Sequence, residues 1–302
     1  MDKEKIIDPK TKATLTPKVS VILPNYNHAN YLQDRLDSIF NQTFQDFEVI
    51  ILDDASTDNS LDVLEPYRNH PRTSHFIINE TNTGSPFKQW KKGLEMARGE
   101  FVWIAESDDY CDLNFLEAHL NNFKDPKMTV SVSKTIAVDS SGSYIKEAKH
   151  HLFADNTLCK KLESIDILKI PILNVSSICF KREALNKNSF FHNYNIIGDR
   201  VFYQENFLNR FIVRTIETQS YFRRLDNSVS NFDQKSINYK SMFFKENLEF
   251  INREFKMKHI DKDLYNKYLT KFYKKVRNRT SRREKISLDY ALLYFNYKFA
   301  LK

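Results

Sequence analysis

Apolar and polar positions fall in alternating blocks along the first 123 residues. Residues 19–23 (VSVIL), 47–52 (FEVIIL) and 101–105 (FVWIA) are short apolar runs. Such runs predict strands buried on both faces, as in a parallel sheet. Residues 74–79 predict a further, shorter strand. Between the runs the apolar period becomes helical. Leu32, Leu36, Ile39 and Phe40 share one face of a first helix. Asp58 is placed to cap a second, with Leu61, Leu64 and Tyr67 inward. Ser85 and Pro86 read as the cap and first-turn proline of a third, with Phe87, Trp90, Leu94 and Ala97 inward and Gly99 closing it. Asp112 is read as the cap of a fourth, with Leu113, Leu116, Leu120 and Phe123 inward. Strand and helix thus alternate four times, at roughly 25-residue spacing. The expectation is an α/β fold: a doubly wound, mostly parallel sheet with helices on both faces.

After about residue 125 the rhythm changes. Residues 129–138 and 211–218 predict strands, 140–143 (SSGS) a hairpin turn, and 201–211 a helix. Residues 175–180 form another apolar run. From residue 236 the pattern is helical and aromatic. We therefore divide the chain into an N-terminal arm (1–17), a first half (18–125), a second half of the same domain (126–235) and a helical, basic C-terminal region (236–302).

Charge changes this picture in two places. The net charge is +7, and residues 271–302 hold ten lysines and arginines against Glu284 and Asp289. That density suits a phosphate-rich membrane surface or an anionic substrate, and equally a solvated helix face. The second place is the strand ends, where ligands bind in open α/β sheets. Pro24-Asn25-Tyr26, Asp53-Asp54 and Glu106-Ser107-Asp108-Asp109 follow three of the apolar runs. Acids packed onto a strand end repel one another unless a cation relieves them, and Mg²⁺ or Mn²⁺ prefers carboxylates beside a phosphate-bearing ligand. A solvated acidic turn would read the same way. Tyr26 is placed to stack on a base, Asp54 to accept from a base N–H, and Lys88, just past Gly84, to meet a phosphate at a helix start.

Other classes lose support. Neither a P-loop nor a dinucleotide-binding glycine motif is present. Three widely spaced cysteines point to a reducing compartment without a zinc cluster. No apolar run is long enough to span a membrane, and the charged start does not read as a secretory signal. His150 and His151, adjacent and without metal-ligand spacing, read as surface residues. Basic charge without a recognition motif argues against a nucleic-acid partner.

The stretch VSVILPNYNHANYLQDRLDSIFNQTFQDFEVIILDDASTDNS, continued by NTGSPFKQWKKGLEMARGEFVWIAESDDY, resembles the family 2 inverting glycosyltransferases of the GT-A fold, in their bacterial surface-polysaccharide form. The resemblance is strong over residues 18–123 and weaker to about 230. It implies that 18–125 is a nucleotide-sugar-binding half and 126–235 the acceptor side. By resemblance, Pro24, Tyr26 and Asp54, with Asp53 supporting, hold the nucleotide. Glu106-Ser107-Asp108 takes the place of the family's D-x-D, with Asp108 on Mn²⁺ or Mg²⁺ and Asp109 behind it. Glu106 departs from the usual first Asp. Asp199, in Gly198-Asp199-Arg200, corresponds to the catalytic base; Glu205 and Asp226 are weaker candidates. Leu225 stands where relatives carry histidine, and Arg224 is the substitute expected to reach the phosphate or metal.

The resemblance implies transfer of a sugar from a nucleotide-sugar, UDP-sugar favoured, to a hydroxyl of a glycan or lipid-linked acceptor. The setting would be surface-polysaccharide or lipopolysaccharide assembly. A non-catalytic nucleotide-sugar or glycan-binding protein on the same scaffold is the alternative. The expected location is the cytoplasm, with the basic C-terminus either touching the inner face of the membrane or packing on the catalytic domain or a homodimer partner.

Overall fold

A computed structural model describes residues 16–154, 157–225, 232 and 235–301. The expected arm lies almost wholly outside the described residues, as does Asp226. The first half runs β1 (Val19–Asn25), α1 (Ala29–Phe40), β2 (Phe47–Asp53), α2 (Ser60–Leu64), β3 (Thr73–Ile78), α3 (Pro86–Met96), β4 (Phe101–Ile104), β5 (Tyr110–Cys111) and α4 (Phe115–Asn122). There follow β6 (Met128–Val138), β7 (Tyr144–Ala148), β8 (Cys159–Lys161), α5 (Ser164–Ile167), β9 (Ile178–Lys181), α6 (Gly198–Phe207) and β10 (Phe211–Arg223). Helices α7 (Ile237–Lys256), α8 (Lys262–Asn278) and α9 (Leu288–Ala300) complete the chain.

One mixed sheet organises these elements in the order β3-β2-β1-β4-β9-β6-β10-β5, with β7 beside β6 and β8 beside β10. β3, β2, β1 and β4 are parallel. β9 runs antiparallel to β4 and β6, and β10 is parallel to β6. Register sets Ile22 beside both Ile50 and Ile104, and Asn25 beside Asp53, so β1, β2 and β4 finish along one rim.

The period of two along β1 feeds two cores. Val19, Val21 and Leu23 join Leu32, Leu36 and Ile39 of α1 and Phe115 and Leu116 of α4. Ile22 faces the other way, with Phe87 and Trp90 of α3, Phe202 of α6, Phe244 of α7 and Leu269 of α8. The C-terminal helices therefore share the core of the sheet. They also hold α6 by buried polar contacts. Glu246 of α7 accepts from the backbone N–H of Asn195, Ile196 and Ile197 at 2.9–3.2 Å, and Arg200 donates to Asn247.

Several local expectations are corrected. Asp112 does not cap α4: its carboxylate accepts from Gln219 N (2.9 Å) and Tyr221 OH (3.0 Å), tying it to β10, and Leu113 is exposed. Ser85 makes no side-chain capping bond, whereas Pro86 does open α3. Gly99 is required by a close approach and not as a helix cap, since a Cβ there would lie 2.6 Å from Ser20 N. His150 is buried, not on the surface. Its Nε2 faces Thr135 Oγ1 (3.1 Å) and its Nδ1 accepts from Leu173 N (3.1 Å), and burial pushes its pKa down to about 4.

Candidate active site

The rim of β1, β2 and β4 opens into a cleft of about 760 Å³. Pro24, Tyr26, Asp54, Glu106, Ser107 and Asp108 line it, facing Asn82, Gly84 and Pro86. Segments far apart in sequence thus meet at one site because the parallel strands end together. Tyr26 keeps 43% of its surface exposed, which leaves a ring face free to stack. Asp53 lies beneath and is spent on the turn: it accepts from Asn25 Nδ2 (2.8 Å), Ser56 Oγ (2.7 Å) and Ser56 N (2.8 Å). Asn27, at φ 55°, accepts from Thr57 N (2.7 Å) and so clamps the two rim loops together.

Asp54 is more committed than its sequence position suggests. Its carboxylate accepts from Asn79 Nδ2 (2.7 Å), Gln89 Nε2 (2.8 Å), Thr83 Oγ1 (2.8 Å) and Thr83 N (3.0 Å). That uses about all the acceptor capacity a carboxylate has. The residue thus fixes the far wall of the cleft as well as lining it.

The acidic segment carries the strongest electrostatic tension. Glu106 accepts from Trp90 Nε1 at 2.5 Å, and Arg35 Nε donates to the Glu106 carbonyl at 2.8 Å. Asp109 turns away from the cleft, accepting from Asn174 Nδ2 (2.7 Å) and Arg223 N (3.1 Å). Ser107 Oγ pairs with His28 Nδ1 at 2.8 Å. Burial, with the charges of Asp108 and Asp109, pushes Glu106 up to about 8. Burial and Asp108 push Asp109 up to about 6, and burial raises Asp108 too. Two arginines offset part of this. Arg35 is fully buried, 5.3 Å from the Trp103 ring. Arg223 donates to the carbonyls of Asp108 (2.9 Å) and Ser140 (3.0 Å) and pairs with Asp34 at 2.8 Å.

Among the described residues no three His, Cys, Asp or Glu side chains gather as a metal cage. The cleft instead offers the oxygens of Glu106 and Asp108, with carboxyl groups raised by burial and by one another. This donor set fits a hard divalent cation that arrives with phosphates and water to complete its shell.

Other expected residues lie elsewhere. Lys88 donates to the Thr83 carbonyl at 2.9 Å and is not part of the cleft wall. Arg224 lies 5.0 Å from the Phe222 ring, and Leu225 reaches the cleft in its place. Glu205 is tied to Phe190 N (3.1 Å), Phe191 N (3.2 Å) and Arg253 (3.1 Å), which removes it as a base. Asp199 stands at the start of α6, outside the cleft wall, with its carboxyl raised by burial against the pull of Arg200. Tyr203, one turn on, is buried, and burial, with the charges of Asp199 and Glu106 adding to it, raises its pKa. Gly198 packs α6 onto α3: a Cβ there would sit 2.3 Å from the Phe87 ring.

Comparison with known proteins identifies this arrangement. Residues 20–189, more than half of the chain, match the sequence profile of glycosyl transferase family 2. The chain belongs to that family. Among family 2 relatives is a poly(ribitol-phosphate) β-glucosyltransferase of Bacillus spizizenii, 29% identical over 54% of this chain and 27% of its own length. Another is the poly(ribitol-phosphate) β-N-acetylglucosaminyltransferase TarS of Staphylococcus aureus, 29% identical over 68% of this chain and 35% of its own. The chain thus spans about a third or less of those two relatives. The crystal structure of TarS residues 1–349 with UDP-GlcNAc shares the fold, with TM-score 0.66 and 23% identity over 94% of this chain and 82% of that one. A Pyrobaculum calidifontis mannosyltransferase in complex with GDP-Man and Mn²⁺ matches at TM-score 0.55 and 16% identity, over 96% and 82%.

Proposed function

We propose that this chain is an inverting glycosyltransferase that moves a sugar from a UDP-sugar to a hydroxyl of a glycan or lipid-linked acceptor in surface-polysaccharide assembly. The observation that carries the reading is the convergence of Tyr26, Asp54 and Asp108 on one cleft, next to excess negative charge. The names of the TarS and Bacillus relatives support the setting of a cell-wall polymer, and the UDP-GlcNAc complex of TarS supports the donor class.

In this reading Tyr26 stacks on the base, while Asp53 and Asp54 hold the two loops between which the nucleotide lies. Mg²⁺ or Mn²⁺ held at Asp108, with Glu106 beside it, would neutralise the charge that grows on the leaving diphosphate. Asp108 and Glu106 stay correctly placed because Arg223 and Trp90 fix the backbone and side chain of the segment. Asp199 takes the proton of the acceptor hydroxyl as that oxygen attacks the anomeric carbon. The bond from that carbon to the diphosphate oxygen breaks, and the configuration inverts. A carboxyl raised by burial is a better base than an ordinary aspartate, because it binds the proton more firmly.

The test is sugar transfer from UDP-sugars to polyol-phosphate or glycan acceptors, with the anomeric configuration of the product read by NMR. Asp199→Asn is expected to cut turnover by about 10²-fold or more at unchanged UDP affinity. Full transfer by that variant would move the base elsewhere. Donor binding without turnover by any wild-type preparation would favour the non-catalytic alternative.

A further inference from the structure

The last helix leaves an apolar stripe uncovered. Leu288, Leu292, Phe295 and Phe299 of α9 are 75, 53, 66 and 83% exposed. At about 100° per residue the four fall within a sector of about 60°. The opposite face of α9 is the one that packs: Leu293 is buried, and the Tyr297 ring stacks on Tyr273 of α8 at 4.0 Å. The stripe is thus a second apolar face, one that the described residues leave uncovered.

Cations surround it. Lys298 lies next to Phe299 in sequence, and Arg282 and Arg283, both exposed, lie in the link from α8 to α9. Exposed leucine and phenylalanine near lysine and arginine match the headgroup layer of a membrane, where apolar and charged surfaces meet. A second copy of the chain fits less well. A two-fold contact through this face would set each basic cluster against its own image. No helix among the described residues is long and apolar enough to cross a membrane, so the contact would lie along the surface.

We propose that α9 and the link before it dock this protein on an anionic membrane surface, with the Leu288–Leu292–Phe295–Phe299 stripe in the headgroup region and Arg282, Arg283 and Lys298 against the lipid phosphates. The proposal does not depend on the chemistry of the cleft.

The experiment is flotation of the full chain with vesicles of phosphatidylcholine alone or with about one third phosphatidylglycerol. Wild-type chain floats with the anionic vesicles and not with the neutral ones. Leu292→Glu with Phe295→Glu lowers the bound fraction at least tenfold, and so does Arg282→Glu with Arg283→Glu. Both pairs are read together with UDP affinity and melting temperature, which stay at wild-type values because the four side chains are exposed and lie outside the cleft. Three results would overturn the proposal: wild-type binding by both variants, equal flotation with neutral vesicles, or no flotation at low salt. A wild-type dimer that the stripe variant dissociates, without vesicle binding, would assign the stripe to a second copy instead and likewise overturn it.

Discussion

Removing the charge of Glu106 should change how stability depends on pH. In the folded chain this carboxyl keeps its proton up to about pH 8, against 4.5 when unfolded, because of burial and the charges of Asp108 and Asp109. Between those values the folded state binds more protons than the unfolded state, so stability falls as pH rises. At about 1.4 kcal/mol per pH unit the ceiling is about 5 kcal/mol. Water in the open cleft screens the charges, and we expect about 2 kcal/mol. About half of that falls between pH 6 and 8, which corresponds to a melting temperature about 2 °C lower at pH 8 than at pH 6. Glu106→Gln keeps an acceptor for Trp90 Nε1 but carries no charge. It should flatten the loss above pH 6 and leave below pH 6 only the share of Asp109, which is pushed up to about 6. Mn²⁺ with UDP should recover stability in wild-type chain at pH 8 and much less in the variant. The assay is a series of thermal melts from pH 5 to 9, with and without Mn²⁺–UDP. Parallel curves for the two chains would refute the reasoning, because the charge conflict would then not reside at Glu106.

Three further outcomes follow from the packing. Gly198→Ala forces the Phe87 ring off its place against Trp90, the donor to Glu106; it should cost about 2 kcal/mol by thermal melt and reduce turnover as well. Ala55 holds φ 60°, where a side chain is strained, so Ala55→Gly should raise stability by about 0.5–1 kcal/mol in urea titration; a loss would show the turn to be relaxed. Arg223→Lys keeps the charge but not the fork that reaches Asp108, Ser140 and Asp34 at once. Transfer should fall at least tenfold with a smaller change in UDP affinity, and wild-type kinetics would remove Arg223 from the account.

The first half of the fold was legible because β1, β2 and β4 are unbroken apolar runs ending in polar turns, and a parallel sheet requires both features. β5 and β8 were not legible. They are two and three residues long and exist only through pairing with β10, which no local pattern encodes. β10 runs to Arg223 although the pattern suggested an end near Thr218, because its polar last turn is held by Asp112 and β6. That error propagated to the site. On a strand, neighbouring side chains point to opposite faces, so Arg223 and not Arg224 reaches the acidic segment. Arg35 carries a visible signal: it lies three residues after Leu32 and four before Ile39, on the inward face of α1. Lys88 illustrates the converse. A lysine at a helix start invites a phosphate, yet its carbonyl neighbour Thr83 satisfies it.

In the proposed function the rim of β1, β2 and β4 grips a cation-bound sugar diphosphate. Isothermal titration of UDP in the presence and absence of Mn²⁺ tests it directly, with wild-type, Tyr26→Ala and Asp108→Ala chains. The account predicts that Mn²⁺ tightens UDP binding to wild-type chain at least tenfold, that Asp108→Ala abolishes this gain, and that Tyr26→Ala weakens binding with or without metal. UDP affinity indifferent to Mn²⁺ and to both substitutions would contradict it.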